Sequence, residues 1–536
     1  MEKNKKQRIK EYVGLILAFA FFLYMAMTKL TEAPLWLDET LEYYISKYMT
    51  GIIPWYSNNG VTYATNMYER MLGAFQPPLY NFIMYFWLLI ADTEWWFRIS
   101  NVIMSAIGAY GIYKTVKKIS SYQVATLSVV IFSCIYQVIY YTQECSEYSM
   151  LLMFLPWTLY AYIQLMEEIK LKNMIYFVIL CVLSVYTQYG ATFVIVPLII
   201  SVFWKAIQSK QGKKIKELLV VYIVTFIAAA VPLLLFFVIP QLENQSNKMS
   251  NPDAWKFYNN NIFSDFLHMF IDVFRWNTIE SITRFYGIAL TATILLFLIA
   301  CYCLKYSKSF ILKHLIVCNI FTWILYYIPT RGGIYGRGYF GFRYNIFFIP
   351  LWLITIIFML YEVYKTFDSI PNEKKKNIIK RIYQAIIIVL VVGYCVYGAH
   401  QINKRWEKAD TRGCVTAWYE KEGYQYPTLV ECGQATSFSY YFEHNPSYKE
   451  EYEANVIREK EYVADKSEKE EAEQYDTKSE YYQKYLDEIF EKEWPKQMYY
   501  FVGDMDTSIL GDVLKNNGYK VEQVYKTTSQ LYYLYK

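Results

Sequence analysis

Long apolar runs alternate with short basic stretches along most of the chain, and the pattern changes only near residue 400. A helix needs about 20 predominantly apolar residues to cross a bilayer core of about 30 Å. Runs of about that kind fall at 11–30, 99–116, 122–141, 148–166, 174–188, 190–205, 218–239, 285–304, 314–328, 345–365 and 382–399, which predicts about eleven spans. Lys and Arg gather in alternate connections: Lys3 to Arg8, Lys114 to Lys118, Lys170 with Lys172, Lys205 to Lys216, Lys305 to Lys313, and Lys374-Lys375-Lys376 with Lys380 and Arg381. By the positive-inside rule these face the cytoplasm, so an odd span count leaves the tail, 400–536, outside. No small-residue cleavage site follows the first run, so it reads as a retained span.

The connection from 31 to about 99 is long and half polar. Thr40 to Met49 and Pro78 to Ile90 carry apolar residues at helical spacing and predict helices along the outer interface. Beyond 400 the chain turns polar and includes the charge run Lys466 to Glu473. Its end predicts a strand at Met498–Val502, a helix at Thr507–Asn517 stopped by Asn517-Gly518, and strands at Lys520–Tyr525 and Leu531–Tyr535. The expected organisation is a mainly α, polytopic transmembrane helical bundle over 1–399, with interfacial helices in its first outer loop, and a small extracytoplasmic α/β domain over 400–536.

Composition sharpens this. In a chain of 536 residues, 55% are hydrophobic and only 19% charged, which excludes an ordinary soluble domain. The net charge of +5 is small and distributed by topology, and points to no nucleic-acid partner. The nine Cys show no paired C-x-x-C spacing, so a structural zinc site is not expected. Cys414 and Cys432, both in the polar tail, are either a disulfide or two free thiols. The four His are too dispersed for a metal cluster.

Charged groups at a bilayer boundary need a reason. Asp38 and Glu39 stand side by side after the first span, next to Trp36, and Glu144 closes the third span in Tyr141-Thr142-Gln143-Glu144. Arg331, Arg337 and Arg343 fall in a glycine-rich connection (Gly332, Gly333, Gly336, Gly338, Gly341) before the tenth span. Each has a plain structural reading. Asp38 and Glu39 suit the first turn of a helix, where the dipole favours acids. Arg343 suits a lipid head-group anchor, and Glu144 a solvated span end.

Taken in order, four motifs resemble the GT-C membrane glycosyltransferases, the group of dolichyl-phosphate-mannose-protein mannosyltransferases and aminoarabinose transferases. They are Trp36-x-Asp38-Glu39; Gln76-Pro77-Pro78-Leu79-Tyr80 followed by Glu94 and Arg98-Ile99-Ser100; Tyr141-Thr142-Gln143-Glu144 with Tyr148; and Phe342-Arg343-Tyr344 with Pro350, preceded by Tyr186-Thr187-Gln188-Tyr189. The resemblance covers most of 1–200 and a short part near 343. The chain departs from it at Ser146, where bacterial members often have Arg, and at Gln188, where they often have His.

The resemblance implies an enzyme of the cell membrane that passes a sugar from a polyprenyl-phosphate donor to a glycan, lipid or protein acceptor at the outer face. An acceptor hydroxyl needs a carboxylate base within hydrogen-bond reach, and Asp38 is assigned that role. Glu39 and Glu144 would position the acceptor or hold a divalent cation, the only cofactor entertained, and clustered carboxylates would raise one another's pKa. Arg343, Arg337 and Arg331 would take the donor phosphate, which guanidinium grips in a fork. Trp36, Tyr80, Tyr148 and Tyr344 would line the substrate. Two other classes remain: a transporter or flippase of a lipid-linked glycan, which predicts ionisable residues at span midplanes, and a silent membrane scaffold with a binding tail.

Overall fold

The computed structural model of the chain describes residues 2–48, 50–56, 61–73, 76–210, 212–248, 286–331, 345–403, 410–459, 471–491, 493–527 and 529–536. In chain order the elements are α1 (Glu2–Met27), α2 (Leu37–Lys47), β1 (Thr50–Tyr56), β2 (Val61–Asn66), α3 (Met67–Gly73), α4 (Leu79–Leu88), α5 (Glu94–Ile119), α6 (Tyr122–Cys134), α7 (Tyr136–Thr142), α8 (Tyr148–Glu167), α9 (Leu171–Thr187) and α10 (Thr192–Gln208). There follow α11 (Gly212–Glu243), α12 (Tyr286–Tyr306), α13 (Phe310–Arg331), α14 (Phe348–Thr366) and α15 (Glu373–Asn403). Two units interleave along this order: Met1–Thr28, Leu72–Tyr80 and Trp96–Arg405 form the first, and Lys29–Met71, Asn81–Trp95 and Trp406–Lys536 the second.

The first unit is a polytopic helical bundle. Among the described residues, helices occupy most of each of the eleven stretches expected to span. Seven of the described helices are long and apolar enough to cross a membrane, or eight if the bent pair α6 and α7 counts as one span. The difference from eleven has physical causes. Helix α9 has only 17 residues. Helix α5 carries Arg98, Ser100, Asn101 and Ser105, all buried, so its polar side chains face protein, where they lower the helix's apolarity without meeting lipid. The α6–α7 break lies at Ile135, whose extended backbone bends the pair by 70°. Helix α11 widens twice into π-type turns, at Phe226–Ala230 and Leu234–Val238.

Close approach organises the middle of this bundle. A Cβ added at Gly108 of α5 would stand 2.2 Å from the Leu152 carbonyl oxygen of α8, and one at Gly111 would stand 2.9 Å from Pro156 Cβ. Two glycines one turn apart therefore let the backbones of α5 and α8 touch.

The second unit is built on a five-stranded sheet. Its strands are β3 (Thr428–Val430), β4 (Val456–Arg458), β5 (Gln497–Val502), β6 (Lys520–Lys526) and β7 (Gln530–Tyr535), in the order β4-β3-β5-β7-β6. Strand β3 pairs parallel with β4 and β5, and β7 pairs antiparallel with β5 and β6. Central β5 reads Met-Tyr-Tyr-Phe-Val after its first residue and is buried throughout those five, the pattern of a strand covered on both faces. The tail's helices are α16 (Thr411–Glu420), α17 (Ala435–Glu443), α18 (Glu471–Ile489) and α19 (Ile509–Asn516). Leu486, Leu510 and Leu514 pack onto Met498, Tyr500 and Leu534. Helix α19 ends where expected, at Asn517 before Gly518 with φ of +86°, a left-handed position that favours glycine.

Three features of this unit were not anticipated or were left open. Strands β1 and β2 pair antiparallel inside the long loop. Short strands β3 and β4 complete the sheet. Cys414 and Cys432 form no disulfide, and burial pushes the Cys414 thiol up.

Candidate functional site

In the second unit, Asp38 and Glu39 lie in the first turn of α2. Glu39 is fully buried, and its Oε2 accepts the Trp36 N–H at 3.4 Å, satisfying one of the donors a helix start leaves open. Asp38 is half-buried, as is Trp36. Further along α2, Glu42 accepts from Asn81 Nδ2 at 2.7 Å, and Asn81 also donates to Ser46 at 3.1 Å.

Helix α2 rests on α17 of the tail. Thr40 Oγ1 and Ser437 Oγ share a hydrogen bond of 3.1 Å, Tyr44 donates to Glu443 at 3.3 Å, and the Tyr43 ring packs edge-on against Tyr440 with centroids 4.8 Å apart. His444 was assigned no role from sequence. Its Nδ1 lies 2.7 Å from the Tyr440 carbonyl oxygen, to which it donates, and its Nε2 sits 3.3 Å from Tyr43 Oη and 3.5 Å from Asp92. Lys47 pairs with the same Asp92. Burial alone would raise the Asp92 carboxyl, but hydrogen bonds from His444, Lys47 and Tyr43 hold it well below the usual carboxylate range. At Glu443 the balance falls the other way: burial raises its carboxyl, against the pull of Arg458 and His444.

In the first unit, the third motif occupies the end of α7. Glu144 is 2% exposed, and its main-chain carbonyl accepts from Asn101 Nδ2. Tyr80 is fully buried and donates to Asn101 Oδ1 at 3.3 Å. Tyr148 packs against Tyr141, ring centroids 4.6 Å apart. Asn101 thus joins Tyr80 of the second motif to Glu144 of the third. Nothing in its sequence context marks it, beyond being an amide in an apolar run.

Gln241, at the end of α11, was likewise missed. Its Nε2 donates to the Gln76 carbonyl and its Oε1 accepts from Tyr189 Oη, both at 2.8 Å. The second motif and the turn at Tyr189 therefore meet through one fully buried amide. Beside Tyr189 opens an apolar groove of about 640 Å³, walled by Tyr186, Tyr189, Ile195, Tyr222, Phe226 and Leu234 among others.

The two positions that depart from the resemblance are both interior. Ser146 Oγ and Gln188 Oε1 are buried with no hydrogen-bond partner among the described residues. A buried polar atom left unpaired costs about 1–3 kcal/mol, so such positions call for a reason.

The donor-phosphate set falls largely outside the described residues: Arg337, Arg343, Tyr344 and the glycines from 332 to 341 are among those not described, and Arg331 is described only as the last residue of α13. Among the described residues, no three His, Cys, Asp or Glu side chains gather as a metal site.

A family model described as dolichyl-phosphate-mannose-protein mannosyltransferase matches residues 75–236, the stretch holding the second and third motifs and the Tyr189 turn. The bundle has the GT-C fold. The solved structure of ArnT from Cupriavidus metallidurans in the apo state is similar over 97% of both chains, with a TM-score of 0.56 at 9% identity. The same protein bound to undecaprenyl phosphate is similar over 97% of both chains, with a TM-score of 0.53 at 10% identity. No curated protein matches the chain by sequence.

Proposed function

We propose that the chain is an integral membrane glycosyltransferase that moves a sugar from a polyprenyl-phosphate-linked donor to an acceptor at the extracytoplasmic face. One observation carries this reading: a buried polar network and an apolar groove share Tyr189. That juxtaposition suits an amphiphile with a polar head beside Gln76 and Gln241 and a hydrocarbon tail in the groove. The fold shared with a protein solved with undecaprenyl phosphate supports the same class of donor. Ser146 and Gln188 add neutral hydrogen-bonding atoms with unmet capacity, which suit sugar hydroxyls.

In this reading Asp38 takes the proton of the acceptor hydroxyl. The freed oxygen attacks the anomeric carbon, the bond from that carbon to the phosphate oxygen breaks, and polyprenyl phosphate leaves. Glu39 and Glu144 position the acceptor; Arg343, Arg337 and Arg331 hold the departing phosphate. Trp36, Tyr80, Tyr148 and Tyr344 complete the substrate surroundings. In this reading the tail is extracytoplasmic, which the Lys and Arg of the alternate connections support.

The test uses the full chain in vesicles supplied with radiolabelled mannose-, glucose- or aminoarabinose-linked undecaprenyl phosphate and a mixed acceptor fraction. Wild type transfers label and Asp38→Asn loses at least about 100-fold, the scale of a general base. Equal transfer by both would remove Asp38 from the chemistry, and no transfer from any donor would remove the reading.

A further inference from the structure

The loop that enters α2 is pinned by the tail at its main chain. Tyr441 Oη accepts the Leu35 N–H at 2.6 Å and donates to Glu94 Oε2 at 3.1 Å. Arg412 spans the same Glu94 oxygen at 3.3 Å, the Thr31 carbonyl at 3.1 Å and the Glu32 carbonyl at 2.8 Å. The Glu94 carboxylate is thus a shared acceptor for two side chains that between them fix residues 31, 32 and 35. Its side chain is 14% exposed, so these charge-assisted bonds are only partly screened. Asp38 lies three residues beyond the last of them, in a helix that starts at Leu37. A helix is stiff over its first turns, so the direction of its entry sets where a first-turn side chain points.

We propose that Glu94, Tyr441 and Arg412 are positioning residues for the Asp38 carboxylate, so that the tail helices α16 and α17 hold the reacting group in place as well as packing in the second unit. This rests on Asp38 acting as base. Packing alone does not account for the arrangement. The Arg412 guanidinium is 40% exposed and spends its donors on backbone carbonyls of the loop, and the Tyr441 hydroxyl both accepts and donates along one line from Leu35 to Glu94. A misplacement of about 1 Å at a reacting group lowers turnover by about 100-fold while leaving remote binding intact.

Tyr441→Phe keeps the ring and removes both hydrogen bonds. In the vesicle assay it should lower kcat by about 10-fold or more, with KM for the undecaprenyl-linked donor within about twofold of wild type. Glu94→Gln should do the same, and the double variant should lose no more than the worse single one, because both act through one carboxylate. Arg412→Lys should recover part of what Arg412→Ala loses. Glu522→Gln, on the exposed edge strand β6, should match wild type. Hydrogen exchange across residues 35–47 should quicken in Tyr441→Phe.

If Asp38→Asn abolishes transfer while Tyr441→Phe transfers at the wild-type rate, the positioning role is overturned and the glycosyltransferase reading stands. If a fall in kcat comes with an equal fall in donor affinity and no recovery by Arg412→Lys, the residues are only structural. If wild type transfers nothing, the functional reading fails, and unchanged exchange of residues 35–47 in Tyr441→Phe would remove the clamp as well.

Discussion

The side-chain amide of Gln143 donates to the main-chain carbonyls of Ala26 and Thr28 at 2.8 and 2.7 Å, closing the end of the first helix from a residue more than a hundred positions away. A helix end leaves carbonyls without partners, and at this depth a side chain supplies what water would supply elsewhere. The resemblance motif Tyr141-Thr142-Gln143-Glu144 therefore contains a capping residue beside its acid. Gln143→Leu should destabilise the protein by about 1–3 kcal/mol, the cost of buried acceptors left unmet, seen as a lower Tm in detergent. Gln143→Glu should be worse, because a carboxylate would face three carbonyl oxygens, counting that of Met25.

The contact of α5 with α8 gives a second test. Gly108→Ala would put a methyl 2.2 Å from the Leu152 carbonyl, and backbone cannot yield as a side chain end does. A loss of about 1–3 kcal/mol is expected for such overpacking. Gly393→Ala on α15 meets nothing within 4 Å and should be neutral or slightly stabilising. Thermal unfolding of the two variants beside wild type decides it.

Two carboxyls in contact with α2 or its neighbours should give opposite pH signatures. Asp92 is depressed in the folded protein, so the stability it contributes is present above its unfolded value of about 3.9 and is lost as pH falls through the folded one. Glu443 is raised by burial, so its charge costs stability once pH rises above the unfolded value of about 4.3. Asp92→Asn should lower Tm at pH 7 and converge on wild type in strong acid. Glu443→Gln keeps an acceptor for Tyr44, should raise Tm at pH 7, and should match wild type below about pH 4.

Gln241 links Gln76 and Tyr189 with one amide. Gln241→Ala should weaken binding of undecaprenyl phosphate by about 5–30-fold, the equivalent of about 1–2 kcal/mol, because the head-group end of the groove loses its brace. Titration by native mass spectrometry measures this. Unchanged affinity would separate the groove from the donor.

What the sequence decides here is local. Apolar length marks the helices of the bundle, Lys and Arg give the expected sidedness, and period-two and helical patterns give the β5–α19–β6–β7 stretch of the tail almost residue for residue, because a strand or a helix start depends on neighbours a few positions away. The order of the four motifs, and with it the GT-C fold, was legible for the same reason. Partnership was not. That Gln143 caps α1, that Asn101 joins Tyr80 to Glu144, that Gln241 holds Gln76 to Tyr189, and that residues 29–71 and 81–95 share a unit with the tail depends on which surfaces meet across stretches of chain far longer than one element's local pattern. A sequence records that a side chain is polar and must find a partner; only the packed chain decides which partner lies within 3 Å, because hydrogen bonds act over that distance and sequence separation does not limit it.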